Sequence, residues 1–396
     1  MANVAFMIAA LLLLANIVVA AAPAPLASEG VATLSADAES QWVPFDLTPG
    51  NQIRFSMTVD GKPIVAVLDT GVSFSVLADH AAEPSRVRRG GTATAIGGAV
   101  AIGWMATREV TIGGLTRLGG GVSIAALPAS ATGSARPVDM LVGRDFTGGQ
   151  ALDIDYAQRR FRLIASGRLP FAGEVAPLSL SPSRRIYESA ITLGTRRLAP
   201  VVVDTGDGSS ITLSAPSWQA TGLDGLASTT TISFGLAGST ISTLTVVPSI
   251  ALGTLTARNV ELRVEPVGGF SQTIGVVGRI GSGFLQNYRV LLDPTAGRMV
   301  LSRGATADAS PLRSTSGVLL GVQPDRLRVL HVMRNSPAAT GGWRDGDEIC
   351  AIDGKDIGGN YATSTLARWS IGAPGTVVAL RLCNGTERDL TLRAFY

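Results

Sequence analysis

Two Asp-Thr-Gly tripeptides are the residues of this 396-residue chain best suited to chemistry: Asp69-Thr70-Gly71 in VAVLDTGVSFSVL, and Asp204-Thr205-Gly206 in PVVVDTGDGSSITL. One such tripeptide is an ordinary turn. Two of them side by side place two carboxyls where both cannot ionise cheaply, so the pair shares one proton and holds an acid and a base in a single site. One carboxylate then deprotonates a water as it attacks a carbonyl carbon, while the other carboxyl protonates or hydrogen-bonds the carbonyl oxygen. Gly71 and Gly206 let each turn approach the other copy, and the Thr70 and Thr205 hydroxyls are placed to brace the two turns by hydrogen bonds. Asp207 adds a third carboxylate, which would raise the pKa values of the pair unless it turns away or meets a cation.

The rest of the composition removes competing chemistries. Only two histidines (His80, His331) and two cysteines (Cys350, Cys383) are present, none at zinc-ligand spacing, so no metal or cofactor is expected. Neither histidine accompanies a Gly-x-Ser-x-Gly nucleophile, which argues against serine hydrolase chemistry. His80 reads as a surface loop residue. The net charge of +3 is spread along the chain, and its densest basic cluster, SRVRRGG at 85–91, reads as a solvated loop, so nucleic acid is not an expected partner.

The elements that must position the aspartates are β-hairpins. Ile53, Phe55, Met57 and Val59 alternate with polar residues, a turn falls at Asp60-Gly61, and the return strand runs into Asp69. RRIYESAITLGTRRLAPVVVDTG repeats the plan, turning near Gly194 and running into Asp204. The likeness extends further. TATAIGGAVAIGWM (92–105) matches TTISFGLAGSTIST (230–243), DMLVGRDF (139–146) matches GVVGRIGSGFL (275–285), and ALDIDYAQRRFRLI matches RVLLDPTAGRMVLS. Gly143 follows Asp69 by the same 74 positions as Gly278 follows Asp204, so a tandem duplication of one β-unit is the reading. Leu141-Val142-Gly143 and Val276-Val277-Gly278 are expected to pack against the strands beneath the turns.

On these tripeptides and the two apolar-apolar-Gly segments, residues 42–303 resemble a bilobal aspartic protease of the pepsin and retropepsin superfamily, in the form of bacterial exported proteins. The resemblance implies catalytic Asp69 and Asp204 and a substrate lying extended between two β-barrel-like lobes. It also implies glycine-rich flaps at Ile96, Gly97 and Gly98 and at Phe234 and Gly235. Two departures are visible: no tyrosine lies in the first flap, and Val72 follows Gly71 where pepsin-like enzymes have a serine. Trp104 and Phe234 read equally as core or hinge packing and as substrate-contacting flap residues.

After the Ser/Ala/Pro-rich SRGATADASPLRSTSG the texture changes. Residues 316–396 resemble a PDZ domain, most specifically in NSPAATGGWRDGDEICAIDGKDI, with a helix expected over 363–370. The resemblance implies a peptide-binding loop at Leu320-Gly321-Val322 that receives a C-terminal carboxylate, with a purely structural cap as the alternative. Cys350 and Cys383 both fall here and read either as a disulfide or as two buried thiols. The N-terminal run MANVAFMIAALLLLANIVVAAAPA has the length and small-residue end of a signal peptide, or is retained as a membrane anchor; either implies export.

The sequence therefore predicts a mainly β protein. Its expected order is a signal segment (1–22), a linker (23–41), a first lobe (42–166), a connector (167–183), a second lobe (184–303), a linker (304–315) and an α+β module (316–396). The function expected is hydrolysis of peptide bonds in extended protein or peptide substrates. The alternative is a catalytically inactive peptide-binding scaffold, its site spoiled by Asp207 or a misplaced flap.

Overall fold

The computed structural model describes residues 30–134 and 136–396; the expected signal segment lies outside them. The chain is mainly β, and its first hairpin forms as the alternation requires. Strands Ile53–Val59 and Lys62–Leu68 pair antiparallel, burying Ile53, Phe55, Met57 and Val59 on one face. Asp60 and Gly61 both adopt the left-handed conformation that a two-residue hairpin turn demands. The second repeat makes the same hairpin from Tyr187–Leu193 and Arg196–Asp204.

In each repeat the strand that ends at the aspartate is flanked by a parallel partner. Met140–Val142 pairs with the first, matching Val142 to Leu68; Gly278–Gly281 pairs with the second, matching Ile280 to Val203 and Gly281 to Asp204. This register corrects the alignment drawn from equal spacing. The counterpart of Gly143 is Gly281, which follows Asp204 by 77 positions, and not Gly278. Both Gly143 and Gly281 precede a one-turn helix, Arg144–Thr147 and Ser282–Leu285. Both also press on the residue three beyond the aspartate: an added Cβ would meet the carbonyl oxygen of Val72 at 2.7 Å and of Asp207 at 2.4 Å. Gly278 is tightly packed as well, but against Thr212.

The matched segments 151–164 and 289–302 do more than resemble each other. Gln150–Asp155 pairs directly with Tyr288–Asp293, aligning Leu152 with Leu292, so one continuous sheet joins the repeats. Asp153, fully buried, accepts hydrogen bonds from Arg162 of its own repeat and from Arg289 of the other. A single apolar core runs through both repeats.

Three expectations about segments differ from what forms. From Gly30 on, the linker before residue 42 is structured: Val31–Leu34 pairs with Leu115–Leu118. The connector 167–183 contributes two strands, Glu174–Pro177 against Arg298–Arg303 and Ser179–Leu180 against the second hairpin. The helix expected over 363–370 is instead two 3-10 segments, Tyr361–Thr363 and Thr365–Ile371, because Ser364 between them is extended.

The C-terminal module has a six-stranded sheet and its own core, including Leu327, Trp343, Ile349 and Leu380. Cys350 and Cys383 are joined as a disulfide, resolving the alternatives in favour of the bond. Among the described residues, strand Val318–Val322 forms the edge of this sheet and pairs only with Leu327–Val332. No helix among the described residues is long and apolar enough to cross a membrane.

Candidate active site

Asp69 and Asp204 stand where their strands end, and the two turns interlock. The Thr70 amide donates to Thr205 Oγ1 at 3.1 Å, and the Thr205 amide donates to Thr70 Oγ1 at 3.0 Å. Each hydroxyl passes its own proton across, Thr70 to the Val203 carbonyl and Thr205 to the Leu68 carbonyl, both at 2.7 Å. Four reciprocal bonds between buried groups thus fix one turn on the other. The bracing expected of the two threonines forms, as four hydrogen bonds.

The glycines have an equally specific reason. A Cβ added to Gly71 would lie 2.4 Å from the Asp204 carboxyl carbon, and one added to Gly206 would lie 2.3 Å from that of Asp69. Each glycine therefore leaves the room that the opposite carboxyl occupies. Asp69 accepts from the Gly71 amide and Asp204 from the Gly206 and Asp207 amides, which aim the carboxyls at the shared space.

Burial is the largest influence on both carboxyls, and it favours the neutral form. Asp69 is held well above the usual carboxylate range by burial and then by the charge of Asp204. Asp204 is pushed up to about 6 by burial and by the negative charge of Asp207, against the opposing pull of Arg279. Both carboxyls are thereby biased toward the neutral form, which favours a proton shared between them.

The question raised by Asp207 has a structural answer. Its carboxylate accepts from Arg279 Nε at 2.8 Å and from the Ser209 amide at 2.9 Å. Although burial opposes the charge, the Arg279 cation and these hydrogen bonds hold its pKa below the ordinary value. Arg279 in turn donates to Glu265 Oε1 and Ser271 Oγ, at 2.7 and 2.8 Å. Sequence reasoning missed these three residues. The equal-spacing alignment set Arg279 opposite Arg144, so it passed for a repeated residue.

Both expected flaps are hairpins. Arg88–Ala95 and Gly98–Ala106 carry Ile96 and Gly97 at their tip; Ser228–Gly235 and Gly238–Leu252 form the second. The tips touch: the Ala237 amide donates to the Ile96 carbonyl at 3.2 Å, and Gly97 and Gly235 are packed so closely against the opposite tip that neither has room for a side chain. Beside them lies a cavity of about 970 Å³, walled by Ile96, Gly97, Gly98, Phe234 and the Gly206–Ser209 turn; Asp69 and Asp204 themselves are not on its wall. Phe234 thus faces the cavity. Trp104 lies away from the tip, pairing with Arg88 and Ser123 at the base of the first hairpin. His80 is at the surface, bonded to Asp139.

Leu320, Gly321 and Val322 of the C-terminal edge strand line the same cavity. The module is tied to the second flap: Thr230 Oγ1 bonds His331 Nε2 at 2.8 Å and accepts from the Arg334 amide, and Thr229 donates to the Arg334 carbonyl.

Residues 55–146, which include the first Asp-Thr-Gly and end at Phe146, match the family model of aspartyl proteases. Among curated proteins, none matches the chain.

Proposed function

We propose that this protein is an aspartic endopeptidase in which Asp69 and Asp204 together activate a water against a peptide bond of an extended chain. The observation that carries the reading is the reciprocal packing of the two turns, each carboxyl filling the space left by the other's glycine. The match of the first repeat to aspartyl proteases supports a protease-type function independently.

In this reading Asp204 is the carboxylate that takes a proton from the water, and Asp69 is the neutral acid that hydrogen-bonds and protonates the carbonyl oxygen. A carbon–oxygen bond forms to give a tetrahedral diol. The proton held by Asp204 then passes to the departing amide nitrogen, the carbon–nitrogen bond breaks, and a diol hydroxyl returns its proton to Asp69. The pair ends with one proton, as it began.

The flaps at Ile96–Gly98 and Phe234–Gly235 close over the substrate, and the two-repeat body acts as a pair of acid-protease lobes. The C-terminal module, read as PDZ-like, binds substrate or a partner at Leu320–Val322; the position of these residues on the cavity wall supports a role in orienting the chain being cut. The Cys350–Cys383 disulfide suits export to an oxidising compartment. The inactive-scaffold alternative rested on Asp207 and on flap placement. Pairing of Asp207 with Arg279 and contact between the flap tips favour the enzyme.

The test is cleavage of an unfolded protein by the mature chain beside Asp69→Asn. Loss of cleavage in a folded mutant supports the reading; substantial activity in it defeats the assignment.

A further inference from the structure

The two turns correspond residue by residue, and at three positions the second repeat carries charge where the first does not. Val72 and Asp207 both lie three residues past their aspartate, and their carbonyls accept from the Arg144 and Ser282 amides that open the equivalent helices. Leu141 pairs with Val67 and Arg279 with Val202, each partner two residues before its aspartate. Ala126 and Glu265 each follow the last residue of an equivalent strand, paired parallel to the strand beyond the turn. Val72, Leu141 and Ala126 are therefore replaced by Asp207, Arg279 and Glu265.

Burying three charges is expensive, and the first repeat has uncharged residues at the same three positions. The side chains of Arg279, Asp207 and Glu265 are only 5%, 9% and 4% exposed. Arg279 is held on both sides, by Asp207 at 2.8 Å and by Glu265 and Ser271 at 2.7 and 2.8 Å, which keeps its Nε 3.9 Å from Asp204 Oδ2. At that separation a cation favours the charged carboxylate while leaving its oxygen free to accept a proton.

Resting on the dyad reading above, we propose that Arg279, clamped between Asp207 and Glu265, is a positioning residue that breaks the equivalence of the two aspartates, drawing the negative charge to Asp204 and leaving the proton on Asp69. The charged groups around Asp204 are Asp69 from the first turn, Asp207 from its own turn and Arg279 from strand Gly278–Gly281, with Glu265, beyond strand Leu255–Val264, holding Arg279. Arg279 supplies the attraction. Asp207 both anchors it and moderates its pull, so Asp204 remains basic enough to act on water.

The experiment is a carboxyl 13C NMR titration of the full chain labelled at aspartate, with Asp69 and Asp204 assigned from Asp69→Asn and Asp204→Asn. It needs no turnover, so it is decided separately from cleavage, which tests the dyad reading. Asp204 is expected to ionise at lower pH than Asp69. Asp207→Asn should move the Asp204 ionisation down and Arg279→Gln should move it up, each by about one pH unit or more. Arg279→Lys should restore the wild-type order. Ionisation of Asp69 first, or an Asp204 titration unmoved by Arg279→Gln in a folded protein, overturns the proposal. If Arg279→Gln does not fold, the wild-type protein and Arg279→Lys decide: Asp204 ionising before Asp69 in both supports the role of the cation, and the reverse order in either refutes it.

Discussion

Burial and Asp207 push the Asp204 carboxyl up to about 6 from the 3.8 of an ordinary aspartate, and the difference acts on activity and stability in opposite directions. Cleavage requires Asp204 charged and Asp69 protonated, so kcat/KM should fall as pH drops through about 6 and fall again when Asp69 loses its proton. Stability runs the other way. Between about 4 and 6 the folded protein binds more protons than the unfolded chain, so the contribution of Asp204 is greatest in acid and is lost as pH rises through its folded pKa. Asp204→Asn should therefore abolish cleavage yet stabilise the fold at pH 7, by on the order of 1–3 kcal/mol, read from denaturant unfolding. A mutant both inactive and less stable at that pH would contradict the account of this buried charge. The twin tripeptides were legible in the sequence because the chemistry is written in residue types. Arg279 was not, because its partner Asp207 lies 72 positions away and only the strand register brings the two together.

The interlocked turns make a prediction at the level of the element. Thr70 and Thr205 each accept one backbone proton and donate to one carbonyl across the junction. Thr70→Val or Thr205→Val leaves a buried amide and a buried carbonyl unpaired, and should cost about 1–3 kcal/mol in denaturant unfolding. The pair should also be non-additive, since all four bonds lie in one junction and loss of one hydroxyl lets the two turns shift against each other. Gly97→Ala should lower kcat/KM with little change in Tm. Its φ of +96° and its contact with the second flap leave no place for a methyl group, whereas the hairpin strands stay paired. Hairpins were legible from alternation and turn residues, as at Ile53–Val59 and Asp60-Gly61. The ladder register was not: Gly278 ends the apolar-apolar-Gly pattern, whereas Gly281 follows Arg279-Ile280, and the choice is made by pairing with Val201–Asp204. Likewise Val31–Leu34 and Glu174–Pro177 looked like linker because a short edge strand acquires its identity from its partner.

Across the whole molecule, the repeats share one core and one sheet, whereas the C-terminal module has a core of its own. Calorimetry should therefore show the two repeats unfolding together and the module as a separable transition. Replacing Asp153 by alanine, which strands Arg162 and Arg289, should destabilise the shared transition by about 3–5 kcal/mol. Reduction of Cys350–Cys383 should lower only the module's transition, by about 2–5 kcal/mol. The change of texture after residue 304 made this division legible in sequence, but the placement of the module's edge strand on the cavity wall depends on contacts that no local pattern encodes. The central claim is that two aspartates from two repeats form one hydrolytic site. Its most direct test is cleavage of denatured casein by the mature chain across about pH 3 to 8, beside folded Asp69→Asn and Asp204→Asn. The account predicts cleavage by the wild-type chain and a loss of at least about 100-fold in both mutants. Cleavage that survives in either mutant, or its absence at every pH from the folded wild-type protein, would contradict it.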